Sequence, residues 1–150
     1  RLILLSSAGW QDIQQGYRLN LPAWLIEGVF KNYLVQRLYF PLTVYNRSVA
    51  DTATFNRFFF FNDGIPAEIL IKMTRDNDSG QLAGRFAEIG QPVLLIWGAH
   101  DRVIPLAQGE ALNDDLPDSR LVVLDASGHL PFLEQPQQTL DAIRAFLDGE

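Results

Sequence analysis

The sequence predicts an α/β fold: a short, mostly parallel sheet flanked by helices and interrupted by a helical insertion. Three observations carry that expectation. Residues 1–6, 92–97 and 120–124 are short aliphatic runs without polar alternation, the pattern of strands covered on both faces of a parallel sheet. The two later runs are each followed by a helical pattern, giving strand–helix–strand–helix up to residue 148. Residues 10–89 are rich in aromatics and carry no strong strand signal, so they are expected to sit over a sheet edge as a lid.

The first run, RLILLSSAG, is continuously apolar from Leu2 to Leu5 and opens without a methionine or a polar lead-in. A strand of this kind needs neighbours on both edges, so the chain is expected to be the C-terminal part of something longer. In the insertion, LPAWLIEGVFKNYLVQRLYF (21–40) sets Leu25, Val29, Leu34, Val35 and Leu38 at helical spacing. A second helix is expected over 50–64, ended by Asn62-Asp63-Gly64. A third is expected over 65–76, then a turn at 76–80 and a short helix over 81–89. After the run at 92–97, Pro105 opens a helix over 105–116 with Leu106, Leu112 and Leu116 as its apolar members; the missing proline N–H is not needed there. After the run at 120–124 comes a loop with His129. Pro136 then starts a terminal helix, 136–148, with Leu140, Ile143, Phe146 and Leu147 on one face. Residues 1–9 and 90–150 are thus expected to form the sheet core, and 10–89 a helical cap.

Composition narrows the function classes. At 150 residues, 47% hydrophobic and 20% charged, the chain has enough apolar mass for a core of its own. A net charge of -6 argues against nucleic acid as a partner, since phosphate-tracking proteins carry a basic face. The absence of cysteine excludes disulfides and thiolate metal sites and fits a reducing compartment. No apolar run approaches the roughly 18 residues of a membrane span, and no basic-then-apolar leader opens the chain, so a cytoplasmic location is expected. The acidic residues show no metal-ligand spacing; neither metal nor cofactor is expected.

Two stretches carry chemistry. QPVLLIWGAHDRVIP (91–105) and SRLVVLDASGHLPFLEQP (119–136) are apolar runs that end in Asp101 and in a loop bearing His129. Ligands of open α/β sheets bind beyond the carboxyl ends of the strands, where both residues fall. Their separation leaves room for a helix and a returning parallel strand. A histidine held by a buried carboxylate is a general base, because the carboxylate fixes the imidazole tautomer and stabilises the imidazolium. Gly128 gives the backbone freedom to turn the ring. The plainer alternatives are that Asp101 caps the helix near Pro105 and that His129 is a packed loop histidine; their pairing favours the joint role. His100 reads as an exposed turn residue, Asp125 as part of its turn, and Glu134 as a structural hydrogen-bonding group near the helix start. Asp12, Asp51, Asp63, Asp76 and Asp78 read as loop or cap positions.

WGAHDRVIP, then a strand followed by GHLPFLEQP and a final helix, resembles the C-terminal half of an α/β-hydrolase. In that family the acid follows the seventh strand and the histidine the eighth, in the order nucleophile, acid, histidine. Residues 1–9 resemble the sixth strand, and 10–89 stand where the family inserts its cap. The resemblance implies that Asp101 and His129 are the catalytic acid and base of a hydrolase that needs no cofactor. It also exposes a departure: no G-x-S-x-G elbow occurs, and neither Ser6-Ser7-Ala8-Gly9 nor Ser127-Gly128-His129 replaces it. The chain is therefore expected to be inactive without a missing N-terminal half.

The expected reaction is serine-type cleavage of an ester or related acyl bond in a small, mostly apolar substrate. Trp24, Phe30, Phe58 and Phe59 are candidates to line its pocket, most of the other aromatics being lid core, since four consecutive phenylalanines (58–61) cannot all face one side. Alternatives with an aspartate nucleophile are a haloalkane dehalogenase or an epoxide hydrolase, for which last the resemblance makes Tyr17, Tyr33, Tyr39 and Tyr45 the cap tyrosines to consider. A carbon–carbon bond hydrolase of ring-cleavage products and a non-catalytic ligand receptor of the same fold also remain open.

Overall fold

The computed structural model describes residues 1–7, 24, 28–29, 31–63, 69 and 84–149. The three aliphatic runs form strands β1 (Leu2–Leu5), β2 (Val93–Gly98) and β3 (Ser119–Leu124). They make one parallel sheet in the order β1-β2-β3. Leu2 lies opposite Val93 and Leu5 opposite Ile96, while Val93 to Gly98 run opposite Ser119 to Leu124.

β2 is the anchor. Leu94, Leu95, Ile96 and Trp97 are completely buried, and a fully buried aliphatic side chain contributes about 1.5–3 kcal/mol. Its residues alternate between two cores, as strand geometry requires. Val93 and Leu95 pack with Phe86, Leu112 and Leu116, on the side of helix α3 (Leu106–Asp115). Leu94 and Ile96 pack with Leu124 and Phe146, on the side of helix α4 (Pro136–Asp148). Helices on both faces are what an unbroken apolar strand calls for. Trp97 donates its indole N–H to the Ile104 carbonyl at 2.9 Å, and Gly109 of α3 lies so close beneath its ring that a Cβ there would stand 2.7 Å from it. β1 differs from the expected doubly covered strand: Leu2 and Leu5 are 37% exposed. It is the outer strand of the described sheet, where Ile3 and Leu4 alone reach the two cores.

Helices α1 (Tyr33–Thr43) and α2 (Thr52–Asp63) lie between β1 and β2 in the chain. The helix expected over 21–40 has a different boundary. Asn32 caps α1, its side chain accepting the Val35 N–H at 3.0 Å, so the helix starts afresh there and runs through Pro41 to Thr43. Asp51 likewise accepts the Thr54 N–H at 2.7 Å at the start of α2. The short helix expected over 81–89 is, within the described residues, only a 3₁₀ turn at Phe86–Glu88, preceded by Gly84 at a φ of 77°, a conformation that breaks a helix. The helix expected over 65–76 and the turn at 76–80 lie outside the described residues, apart from Ile69.

α1 and α2 share a core of Phe40, Phe55 and Phe59 with Val44 and Ala50. Tyr33 packs edge-on against Phe55 and Phe59, with ring centroids 5.2 and 5.1 Å apart, a favoured aromatic geometry. Leu130 and Leu133, which follow His129, pack against this same cluster. The helical pair is thereby seated on the histidine loop. No helix among the described residues is long and apolar enough to cross a membrane.

Candidate active site

The loops after β2 and β3 are laced together. Ala99 donates its N–H to the Leu124 carbonyl and His100 to that of Ser127, both at 3.0 Å. Gly98, the last residue of β2, has the Gly128 carbonyl 2.0 Å from where a Cβ would stand; only glycine permits that approach.

Asp101 follows within the first turn, its side chain fully buried. One carboxylate oxygen, Oδ1, accepts the N–H groups of Val103 and Ile104, both at 2.8 Å. The other, Oδ2, lies 2.9 Å from His129 Nδ1. Turn-holding and histidine-orienting, which compete in the sequence, are here shared between two oxygens of one carboxylate. An ionised carboxylate only accepts, so Nδ1 carries the proton and the lone pair is left on Nε2. The imidazole is a quarter exposed, and its backbone N–H donates to the Thr43 carbonyl at 2.8 Å. The pair can orient and charge-stabilise a base whose second nitrogen faces away from the acid.

Burial by itself would raise the Asp101 carboxyl. The hydrogen bond from His129, the N–H of Ile104, the imidazole charge and the N–H of Val103 together outweigh it, and the group titrates below its ordinary value of 3.8. A carboxylate depressed on folding contributes stability that is complete above its unfolded pKa and is lost as pH falls through the folded one. The full-length protein is therefore expected to lose stability as pH falls below about 4 more steeply than its Asp101→Asn variant. Urea midpoints measured from pH 6 to pH 2.5 check this; parallel curves for the two proteins would contradict it.

Glu134 and Gly128 have partners in the site that the sequence does not disclose. Glu134 is buried. Its Oε1 accepts the Gly128 N–H at 2.7 Å, and its Oε2 accepts the N–H groups of Tyr45 and Asn46 at 2.6 and 2.9 Å. It is structural, as expected, but the groups it ties lie in the histidine loop and the segment after α1. The only local signal is a carboxylate within an apolar stretch, rarely buried unless paired.

The pocket candidates separate. Phe59 is buried in the helical core. Phe58 is partly buried against the same core, 5.5 Å from the Phe40 ring and 6.3 Å from that of Phe132, three residues past His129. Trp24 is 71% exposed, and Phe30 lies outside the described residues. Of the tyrosines, Tyr33 donates to Asn56 Oδ1 at 3.1 Å, Tyr39 is exposed, and Tyr17 lies outside the described residues. Tyr45 stacks on His100, ring centroids 4.2 Å apart and planes 12° from parallel. His100 and Asp125 are both exposed. A cavity of about 260 Å³ bordered by Arg1, Val93, Asp118 and Arg120 opens at the amino ends of β2 and β3, the end of the sheet opposite the Asp101–His129 pair. No three acidic or histidine side chains among the described residues come together to hold a metal ion.

Comparison with known proteins bears on the fold and the family. The family described as alpha/beta hydrolase fold matches residues 8–136. The uncharacterized hydrolase YugF of Bacillus subtilis is 29% identical over 133 residues, 87% of this chain and 46% of that protein. A pimeloyl-[acyl-carrier protein] methyl ester esterase of Aromatoleum aromaticum is 50% identical over 62 residues, 41% of this chain and 25% of the esterase. The solved meta-cleavage product hydrolase of Pseudomonas fluorescens IP01 superposes with a TM-score of 0.72 at 19% identity, over 99% of this chain and 55% of that one, a likeness of fold. The chain thus spans about half the length, or less, of the relatives it matches.

Proposed function

Because the chain belongs to the α/β-hydrolase fold family, we propose that it is the acid-and-histidine portion of a serine-type hydrolase that cleaves an ester or related acyl bond in a small, mostly apolar substrate. The observation that carries this reading is the 2.9 Å contact between His129 Nδ1 and a fully buried Asp101 carboxylate. The 50% identity over 62 residues to an ester-cleaving enzyme favours an acyl bond over the epoxide, halide and carbon–carbon alternatives.

In this reading His129 Nε2 takes the proton of a nucleophile hydroxyl as the oxygen attacks the substrate carbonyl. Nδ1–H donates to Asp101 throughout, which stabilises the imidazolium. The imidazolium returns its proton to the leaving alcohol, an acyl-enzyme forms, and His129 next activates the water that hydrolyses it. The nucleophile and the oxyanion donors come from a further N-terminal portion of the same enzyme, since these 150 residues hold no G-x-S-x-G elbow and span about half of YugF. Residues 10–89 act as a cap over the sheet core formed by 1–9 and 90–150. The packing of Leu130 and Leu133 on the α1–α2 core supports that seating. Trp24, Phe30 and Phe58 are the proposed aromatic contacts to substrate, whereas Phe59, a pocket candidate by residue type, packs in the helical core instead; a cytoplasmic location belongs to the same reading.

The test is mass spectrometry of the full-length protein after treatment with a fluorophosphonate probe. One labelled serine N-terminal to Arg1, and loss of labelling in the His129→Ala variant, is the expected result. Turnover of an epoxide or a haloalkane without labelling would move the reading to an aspartate nucleophile. Neither labelling nor turnover would leave a ligand receptor.

A further inference from the structure

We propose that Glu134 is a positioning residue that makes the orientation of His129 depend on the seating of the cap segment 43–46. The inference rests on reading His129 as the base.

A buried carboxylate is costly unless its oxygens are satisfied, and an apolar residue of similar size commonly serves stability as well. Among the described residues every hydrogen-bond partner of the Glu134 carboxylate is an uncharged donor, and these donors come from two segments far apart in sequence. Oε1 faces the histidine loop, accepting from Gly128 N–H at 2.7 Å with Ser127 Oγ at 3.4 Å. Oε2 faces the cap, accepting from Tyr45 and Asn46. The two segments also touch directly. The His129 N–H donates to the Thr43 carbonyl, and a Cβ on Gly128 would stand 2.7 Å from that carbonyl oxygen and 2.8 Å from Tyr45 N. The residue immediately before the base is thus wedged against the cap backbone, with one carboxylate pinning both. If the cap segment lifts, Tyr45, Asn46 and Thr43 leave together, and Gly128 and His129 lose the contacts that hold the imidazole on Asp101. The base is then competent when the cap is down.

Glutamine and aspartate substitutions separate positioning from folding. In Glu134→Gln the amide carbonyl satisfies one segment, and the NH₂ confronts N–H donors of the other. In Glu134→Asp the charge stays, but the side chain is one methylene too short to span both. Both variants, made in the full-length protein, are expected to lower kcat on a short-chain aryl ester by about 100-fold while KM changes less than about threefold. Both are also expected to shift or abolish the downfield proton resonance of His129 Nδ1–H. A folded variant of either kind with wild-type kcat and a wild-type resonance overturns the proposal, whatever its melting temperature. If neither variant folds, amide exchange in the wild type decides. Gly128, Tyr45 and Asn46 should open together, and exchange of Gly128 at a rate unrelated to the other two overturns the tie. Should the wild type hydrolyse no ester, the functional reading fails, and the Nδ1–H resonance still reports on Glu134.

Discussion

Asp101→Asn in the full-length protein is expected to lower kcat by about four orders of magnitude while leaving the folded state intact at neutral pH. The reason lies in how the two carboxylate oxygens are used. Oδ1 is held by two N–H donors, Val103 and Ile104, so an asparagine must place its carbonyl oxygen there to keep both satisfied. Its NH₂ then faces His129 Nδ1, which has to accept rather than donate. The imidazole proton is forced onto Nε2, the nitrogen that should take a proton from the nucleophile. The base is present, in place and in the wrong tautomer. Steady-state kinetics beside thermal unfolding check this, with His129→Ala as the reference for complete loss of the base. Activity within tenfold of wild type would remove Asp101 from the mechanism and leave it a turn residue. A ligand receptor would show no dependence on the substitution beyond its effect on stability.

Gly98→Ala is expected to be the most damaging single methyl addition at the site. The new Cβ would stand 2.0 Å from the Gly128 carbonyl oxygen and 2.5 Å from that of Ser127. Both are backbone atoms, so no side-chain rotation relieves the clash. Nor can the loop retreat freely: His100 N–H holds the Ser127 carbonyl, Glu134 holds the Gly128 N–H, and Thr43 holds that of His129. Overpacking destabilises by about 1–3 kcal/mol, and a clash with two backbone carbonyls puts this site at the upper end. Where the loop yields instead, a shift of about 1 Å in the base costs on the order of 100-fold in rate. Urea denaturation and kcat on the same preparation distinguish the two routes. A variant unchanged in both would show that the β2–histidine loop approach is looser than the structure has it.

Which residues could be read in advance follows from how local their determinants are. Leu94–Ile96 announce a doubly covered strand because every side chain is apolar, and the run falls where a strand ends in a glycine turn. Pro105 and Pro136 mark helix starts through their own geometry. Asp101 and His129 were legible because each stands just past such a strand, and parallel connectivity sends both strand ends to one side of the sheet. The helix expected across 21–40 is less well drawn, since Asn32 can sit within an apolar repeat or cap a new helix, and the Val35 N–H decides. Phe55 and Phe59, spaced one helical turn apart, become one core with Phe40 only because α1 folds back on α2. Their residue type could not separate core from pocket.

The sequence by itself determined the fold class, the parallel strands and the two residues that meet at their carboxyl ends. Those depend on apolar period, on proline and glycine placement and on chain order, all local or topological properties. Tertiary structure alone decided that Asp101 divides its oxygens between a turn and His129, that Gly98 admits the histidine loop, and that Glu134 reaches across to Tyr45 and Asn46. A hydrogen bond between residues 88 and 89 positions apart leaves no trace in spacing or composition. It exists only where packing brings a buried carboxylate against backbone donors that would otherwise go unpaired.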